Sequence, residues 1–365
     1  MAEPLKTQFF KERFFDELIQ GLMEHNPDID GNRMKALIFD EGWVDRELKE
    51  RMRHATICLN SVLPNDYKRS VDVLQKVISN VAHYSFEKMI FPDYVELYGL
   101  SDWDISLPAL ELFTQYASAE FAVRPFIIMD QERMMAQMLL WAEHENPSVR
   151  RLASEGCRPR LPWAIALPAF KKDPSPIIPI LKRLKLDDSE SVRRSVANNL
   201  NDISKDNPDV TLAVLQDWQG LNPPAIDWIT SHSLRTLIKA GYPRALALLG
   251  YFSDPKIKVK NFEVYPGKIN LGGEITIAFE IVSESDVEEN LMIDYIVHLV
   301  RANDKRTAKV FKLTKKRLAP GENLKIERKR SFTPLSTRKY YPGEHQIIIQ
   351  INGKPFGAAS FILQV

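Results

Sequence analysis

Up to about residue 255, apolar residues recur every three or four positions, the spacing of helices that bury one face. Phe9, Phe10, Phe14, Phe15, Leu18 and Ile19 predict an amphipathic opening helix. Pro64, Pro92, Pro108, Pro125, Pro147, Pro162, Pro176, Pro208 and Pro223-Pro224 punctuate the rest at helix-sized intervals. One helix is legible to its ends. Asn146 suits the N-cap, Pro147 the first helical position, and Val149, Leu152, Ala153 and Gly156 the buried face. The helix is expected to end near Gly156, and Pro159 and Pro162 then break the chain. Pro162 is expected to open the next helix, with Trp163 just inside it.

Near Pro255 the period changes. Lys256–Lys260, Glu274–Val282, Leu291–Val300, Ala308–Leu313, Leu324–Phe332 and His345–Ile351 alternate or are rich in β-branched residues. Pro266-Gly267, Gly272-Gly273, Pro320-Gly321, Pro342-Gly343 and Asn352-Gly353 supply the turns between them. About seven short strands in this span suggest an Ig-like or fibronectin-like sandwich without a cysteine pair to pin it. The predicted organisation is therefore a helical domain over 1–255 and a β-sandwich over 256–365.

The helical part contains a repeat. Val149-Arg150-Arg151 returns 43 residues later as Val192-Arg193-Arg194, and SESVRRSVANN is a degenerate copy of the first segment. That period is typical of HEAT-like helix pairs, which stack into a solenoid. Arg151 and Glu155 stand four apart, as do Arg194 and Asn198, so both pairs project from one face. A third arginine-bearing helix is read at Ser233–Ala240, with Leu234, Leu237 and Ile238 buried and Arg235 in the corresponding place. Recurrent arginine on one face of a solenoid forms a stripe suited to phosphate.

Charge sharpens this picture. The chain's net charge of +1 conceals an uneven spread. Residues 256–365 carry 19 Lys and Arg against 12 Asp and Glu, whereas residues 1–255 carry 30 against 36. The Arg301–Arg330 stretch alone has 12 basic and 3 acidic residues. A polyanionic partner for the C-terminal part follows, with Lys315, Lys316 and Arg317 as backbone contacts. The same run also suits a solvated edge strand that resists pairing.

Cys58 and Cys157 make no disulfide framework and read as buried thiols. The histidines and cysteines show no metal-ligand spacing, and Gly272-Gly273 reads as a turn, so no metal or cofactor is expected. Met1–Arg13 mixes charge with aromatics, unlike a signal peptide, and no run approaches the ~20 apolar residues of a membrane span. A cytoplasmic, reducing setting and no membrane partner are the expectation. Asp202, Asp206 and Asp209 read as solvated helix-end and loop acids.

Three stretches, EFAVRPF from Glu120, HENPSVRRLASEGCRPRLPWA from His144, and VRRSVANNLNDISKDNP from Val192, together resemble the DNA alkylation repair family of HEAT-like glycosylases. The likeness is to its AlkC branch, some members of which carry a C-terminal Ig-like domain. It covers most of the helical region, and residues 258–365 correspond to the Ig-like extension. The resemblance implies a HEAT-like α-helical solenoid followed by an Ig-like β-sandwich. It implies a monofunctional DNA glycosylase that removes cationic alkylated bases, 3-methyladenine and in this branch 3-methylcytosine, without flipping the lesion. The partner would be double-stranded DNA containing alkylated bases, the protein would work as a monomer without an obligate protein partner, and it would associate with the nucleoid when bound to DNA.

Elementary chemistry makes such an activity intelligible. Methylation of a ring nitrogen puts a charge on the base and makes it a good leaving group. The protein must then stabilise an oxocarbenium-like sugar and place a water, for which carboxylates are suited. An aromatic face adds cation–π stabilisation. Glu155 is the first candidate carboxylate, Glu120 the second and Trp163 the aromatic, all at positions matching the family. Arg151, Arg158, Arg160 and Arg194 are the candidate phosphate contacts, with Asn198 as a neutral donor. Each has a plainer reading on residues alone: Glu155 as a surface partner for Arg151, Glu120 as a first-turn acid, Trp163 as core, the arginines as a solvated face. A non-catalytic HEAT scaffold binding DNA or protein is the competing function.

Overall fold

The computed structural model describes residues 5–221, 223–302, 305–334 and 338–365. The chain divides into two compact units. One comprises the chain to Asn207 with Gln219–Ser233; the other comprises Pro208–Trp218 with Leu234–Val365.

The first unit is a stack of helices. Its opening amphipathic helix runs Glu12–His25, with Phe14, Phe15, Leu18 and Leu22 buried. Phe10 is buried just before it, at φ +57°. Pro108 does not break the chain; it sits within the Trp103–Phe113 helix. The Pro147–Glu155 helix has the expected cap, the Asn146 side chain accepting from Ser148 N at 2.8 Å, and Gly156 lies at its C-cap. Val149, Leu152 and Ala153 are fully buried.

This helix packs on Glu190–Ile203, which packs in turn on Pro223–Ser233. Gln131–Trp141 packs against the first of these, and Ile178–Leu184 against the first two, giving the paired layers of a HEAT-like stack. The third member of the row is therefore Pro223–Ser233, not the Arg235-bearing segment. Arg235–Lys239 is a short separate helix in the second unit, and Ile238 is only partly buried there. The expected arginine-bearing helix is thus present, with Leu234 and Leu237 buried, but its place in the row is corrected: with no VRR copy to mark it, the spacing of Arg235 mimicked a loose repeat.

Among its described residues the second unit contains eight strands: β1 (Ile257–Tyr265), β2 (Lys268–Asn270), β3 (Glu274–Ser283), β4 (Glu289–Val300), β5 (Arg306–Leu318), β6 (Asn323–Ser331), β7 (Gly343–Ile351) and β8 (Lys354–Gln364). They form a three-stranded sheet ordered β1-β3-β6 and a five-stranded sheet ordered β2-β8-β7-β4-β5. Inward residues such as Ile275, Ile277, Ile293, Tyr295, Ile347 and Ile349 make one core. Strand β8 was not legible in the sequence because Gly357, Ala358 and Ala359 give its centre little strand propensity. Pairing with β7 and β2 holds it in place. The Asn352-Gly353 turn that joins β7 to β8 has φ +46° and +82°, the left-handed pair of a tight hairpin. Asn352 also ties that turn to β4, accepting from Met292 N at 2.8 Å and donating to Asn290 O at 3.0 Å.

Candidate active site

The two VRR copies divide their labour. Arg150 Nη1 donates to the carbonyls of His144 (3.0 Å) and Glu145 (2.7 Å), six and five residues earlier. Arg193 Nη1 donates to the carbonyls of Asp187 (2.5 Å) and Asp188 (2.9 Å), again six and five residues earlier. The first arginine of each copy thus ties down the turn that precedes its own helix. The second arginine of each copy stands about 100° further round the helix; in the first copy this is Arg151, which is turned to Glu120 and Glu155.

Arg151 begins a chain of alternating charges. Its Nη1 donates to Glu120 Oε2 at 2.9 Å and Ser118 Oγ at 3.1 Å, and its Nη2 lies 3.6 Å from Glu155 Oε1. Glu155 Oε1 also accepts from Arg158 Nη1 at 2.6 Å. Arg158 Nε donates to Asp202 Oδ2 at 2.9 Å, and Lys205 Nζ donates to Asp202 Oδ1 at 2.9 Å. The other oxygen of Glu155 accepts from Ser195 Oγ at 2.6 Å, and Ser154 Oγ donates to Ser195 Oγ at 2.7 Å. Glu155 is therefore bound on both oxygens by the neighbouring helix and by the loop that follows its own. It is buried, whereas the side chain of Glu120 keeps 16% of its surface exposed.

Local sequence explains the arrangement. Glu155 ends its helix, and the loop turns at Gly156, where a Cβ would come within 2.5 Å of Val123 Cγ2. Only glycine allows this close approach, and Arg158, two residues on, reaches back to Glu155. Burial depresses the Arg158 pKa, but Glu155 and Asp202 outweigh it and hold the guanidinium above its ordinary value.

Two expectations for this segment are corrected. Arg158 is not a surface cation open to phosphate; it is buried and occupied by two carboxylates. Asp202 is not a solvated helix-end acid but a buried partner of Arg158. A signal existed for this pair, because Asp202 follows Arg158 by 44 residues, close to the repeat length. Arg158 and Asp202 neutralise each other, which is what makes burying either of them tolerable.

Trp163 is also not inside a helix. Pro162 and Trp163 lie in a turn, and the next helix begins only at Pro168. Trp163 adopts φ +65° and is 60% exposed, so the core alternative fails. Its loop is held on several sides. Arg160 makes a bidentate pair with Asp206 (Nε–Oδ2 2.9 Å, Nη2–Oδ1 2.6 Å), so Asp206 too has a partner. Lys49 Nζ donates to the carbonyl of Trp163 at 2.6 Å. The buried Arg124 donates from Nε to Ile165 O (2.6 Å) and from Nη1 to Gly156 O (2.8 Å) and Arg158 O (2.9 Å).

Of the remaining candidates in this unit, Arg194 is exposed and paired with Glu190 one turn earlier, and Asn198 Oδ1 lies 3.1 Å from His232 Nε2. His232 stacks on Trp228, ring centroids 4.9 Å apart and planes at 8°. Sequence reasoning missed Arg124, Ser195 and Lys49, none of which carries a distinctive local pattern.

In the second unit, Lys315, Lys316 and Arg317 lie at the end of β5, the outer strand of the larger sheet, and all three are exposed. Lys315 Nζ lies 5.2 Å from the centre of the Tyr251 ring, and Arg317 Nη1 lies 3.9 Å from Glu288 Oε1.

Both cysteines are buried and free, and burial pushes their thiols up to about 11 for Cys58 and about 12 for Cys157. Among the described residues no cluster of His, Cys, Asp and Glu could hold a metal ion, and no helix is long and apolar enough to cross a membrane.

Comparison with known proteins bears on this geometry directly. Residues 258–365 match the family described as "Uncharacterised protein YhaZ, C-terminal Ig-like domain". The chain is 44% identical over 348 residues to the protein YhaZ of Bacillus subtilis (strain 168), spanning 94% of this chain and 96% of that one. It superposes on the alkylpurine DNA glycosylase AlkC of Pseudomonas fluorescens, solved bound to DNA containing an abasic site analog, with a TM-score of 0.94 and 36% identity over 100% of both chains. With its helical stack, its Ig-like sandwich and this likeness along its whole length, the chain belongs to the AlkC family of DNA glycosylases.

Proposed function

We propose that this protein excises cationic N-methylated bases, 3-methyladenine foremost and 3-methylcytosine as a second substrate, from double-stranded DNA. The observation that carries this reading is Glu155, a carboxylate bound on both oxygens and set beside a loop that projects an exposed tryptophan. A scaffold has no need of that combination.

In the proposed reaction the C1′–N bond breaks and its electron pair leaves with the base, which departs neutral because it was cationic. No general acid is required. The sugar becomes oxocarbenium-like, and the carboxylates of Glu155 and Glu120 lower the energy of that charge. A water adds to C1′ and loses its proton to a carboxylate and then to solvent. The indole of Trp163 offers its π-face to the cationic centre, worth ~0.5–2 kcal/mol depending on desolvation. Lesion access comes without base flipping, so the usual extrusion step is not part of this scheme.

Arg151, Arg160, Arg194 and Asn198 are assigned to the DNA backbone. Arg158 is reassigned from phosphate contact to holding Glu155. Residues 1–255 would carry the chemistry. Residues 256–365 would add sequence-independent backbone contacts through Lys315, Lys316 and Arg317. The protein would act as a monomer in the cytoplasm, without a cofactor.

The test is incubation with methylated double-stranded DNA, followed by chromatography of released bases. Free 3-methyladenine supports the enzyme. Intact DNA binding with no base released would replace this reading with the scaffold.

A further inference from the structure

Trp163 stands in a conformation its own sequence does not favour. A bulky residue at φ +65° is an outlier, and it persists only where its surroundings over-determine it. Two cations grip the backbone on either side of the indole. Lys49 Nζ donates to the carbonyl of Trp163 itself and lies 4.8 Å from the centre of the Phe121 ring. Arg124 donates to the carbonyl of Ile165, two residues on, and to those of Gly156 and Arg158 at the start of the loop.

Arg124 is the more unusual of the two. It is fully buried, and among the described residues no carboxylate lies within ion-pair distance of it. Its charge is compensated by carbonyl dipoles, all three from the loop that carries Arg158 and Trp163. A buried guanidinium held this way is costly. Burial accordingly pulls its pKa down to about 10. Arg124 stands on the Val123–Met129 helix and reaches three carbonyls of the loop at once through Nε and Nη1, while its buried Nη2 has no hydrogen-bond partner. Arginine is the one side chain with enough donors in a fixed fork.

We propose that Arg124 and Lys49 are positioning residues for the glycosylase reaction: together they lock the Gly156–Ile165 loop and hold the Trp163 indole out of it, preset toward the nucleotide. Arg124 fixes the base of the loop and Lys49 its tip. This rests on the reading that Trp163 faces the reacting sugar.

The experiment uses full-length protein labelled with fluorotryptophan, with the Trp163 resonance assigned by its loss in Trp163→Phe. Lys49→Met is the principal variant, because Lys49 is exposed and the fold does not depend on it; Arg124→Met is the second. Lys49→Met is expected to shift or broaden the Trp163 resonance selectively. It should slow single-turnover release of 3-methyladenine roughly 10- to 100-fold, the scale of a small misplacement at a reacting centre. Affinity for abasic-site DNA should stay within about 3-fold, and in a Trp163→Ala background Lys49→Met should cause no further loss, since residues acting through one another are not additive. An unmoved Trp163 resonance in Lys49→Met, or losses that add fully in the Trp163→Ala background, would overturn the proposal. A displaced resonance with an undiminished rate would overturn the role in the reaction and trace the failure to Trp163, which would then not face the reacting sugar, and not to the lock on its loop.

Discussion

Arg150 and Arg193, 43 residues apart, make the same contact: each places Nη1 on the carbonyls six and five residues before it. Arg150 adds a bidentate pair with Asp187, Nε–Oδ2 2.6 Å and Nη2–Oδ1 2.9 Å. The repeated arginine pair is thus partly a structural device for closing inter-helix turns.

This separates two classes of arginine by experiment. Arg150→Met removes a charge-assisted pair to a carboxylate and leaves carbonyls without donors, so it should destabilise by about 2–4 kcal/mol in urea unfolding. Arg194→Met, at an exposed position paired only within its own helix, should cost less than about 0.5 kcal/mol. DNA affinity should respond in the reverse order. Equal stability losses in the two variants would contradict the division.

Glu155→Gln keeps shape and removes the charge. Single-turnover excision of 3-methyladenine should fall about 100-fold or more, the loss typical of one preorganised electrostatic group. Affinity for abasic-site DNA should change little, and Glu120→Gln should show a smaller loss. Wild-type excision rates in both variants would remove the carboxylates from the mechanism.

Dependence on the leaving group follows from the absence of a general acid in the proposed scheme. Cationic 3-methyladenine should be released and neutral uracil should not, measured on matched duplexes under single-turnover conditions. Efficient release of uracil would demand a proton donor and a different site.

Asp93 offers a test of stability against pH. It is buried beside Arg53, 2.9 Å away, and burial pushes its carboxyl up to about 6 from an ordinary 3.8. A carboxyl with a raised folded-state pKa contributes its full stability below the unfolded value, near pH 4, and loses it as pH rises through about 6. Asp93→Asn should therefore be more stable than wild type at pH 8, by an amount on the order of 1–2 kcal/mol, with that advantage shrinking toward pH 4. Urea midpoints at the two pH values decide it; a constant difference would mean that folding does not raise the carboxyl's pKa.

Charge reversal of Lys315, Lys316 and Arg317 should weaken DNA binding and flatten its salt dependence. Each lost phosphate contact lowers the log–log slope by about 0.9. An unchanged slope would place the basic face of the sandwich against something other than DNA.

The one-dimensional pattern was enough to determine the order of the two parts and six of the strands, though not β2 or β8. Helix period changes to strand period near Pro255 because each period reports which face an element buries. The repeated VRR copies marked two of the three stacked helices, and Asn146, Pro147 and Gly156 marked the ends of the first. These are local rules, complete within one turn or one repeat. What the chain does with Glu155 is not local. Its partners Arg158, Ser195 and, through Arg158, Asp202 come from a loop and from the next helix of the stack, and only stacking decides which side chains share a buried space. Trp163 shows the same limit more sharply. Proline spacing suggested a helix start, but Arg124 and Lys49, 39 and 114 residues away, hold it in a turn by gripping carbonyls that no sequence pattern advertises. Backbone acceptors look alike at every position, so tertiary structure alone determines which of them a distant cation finds.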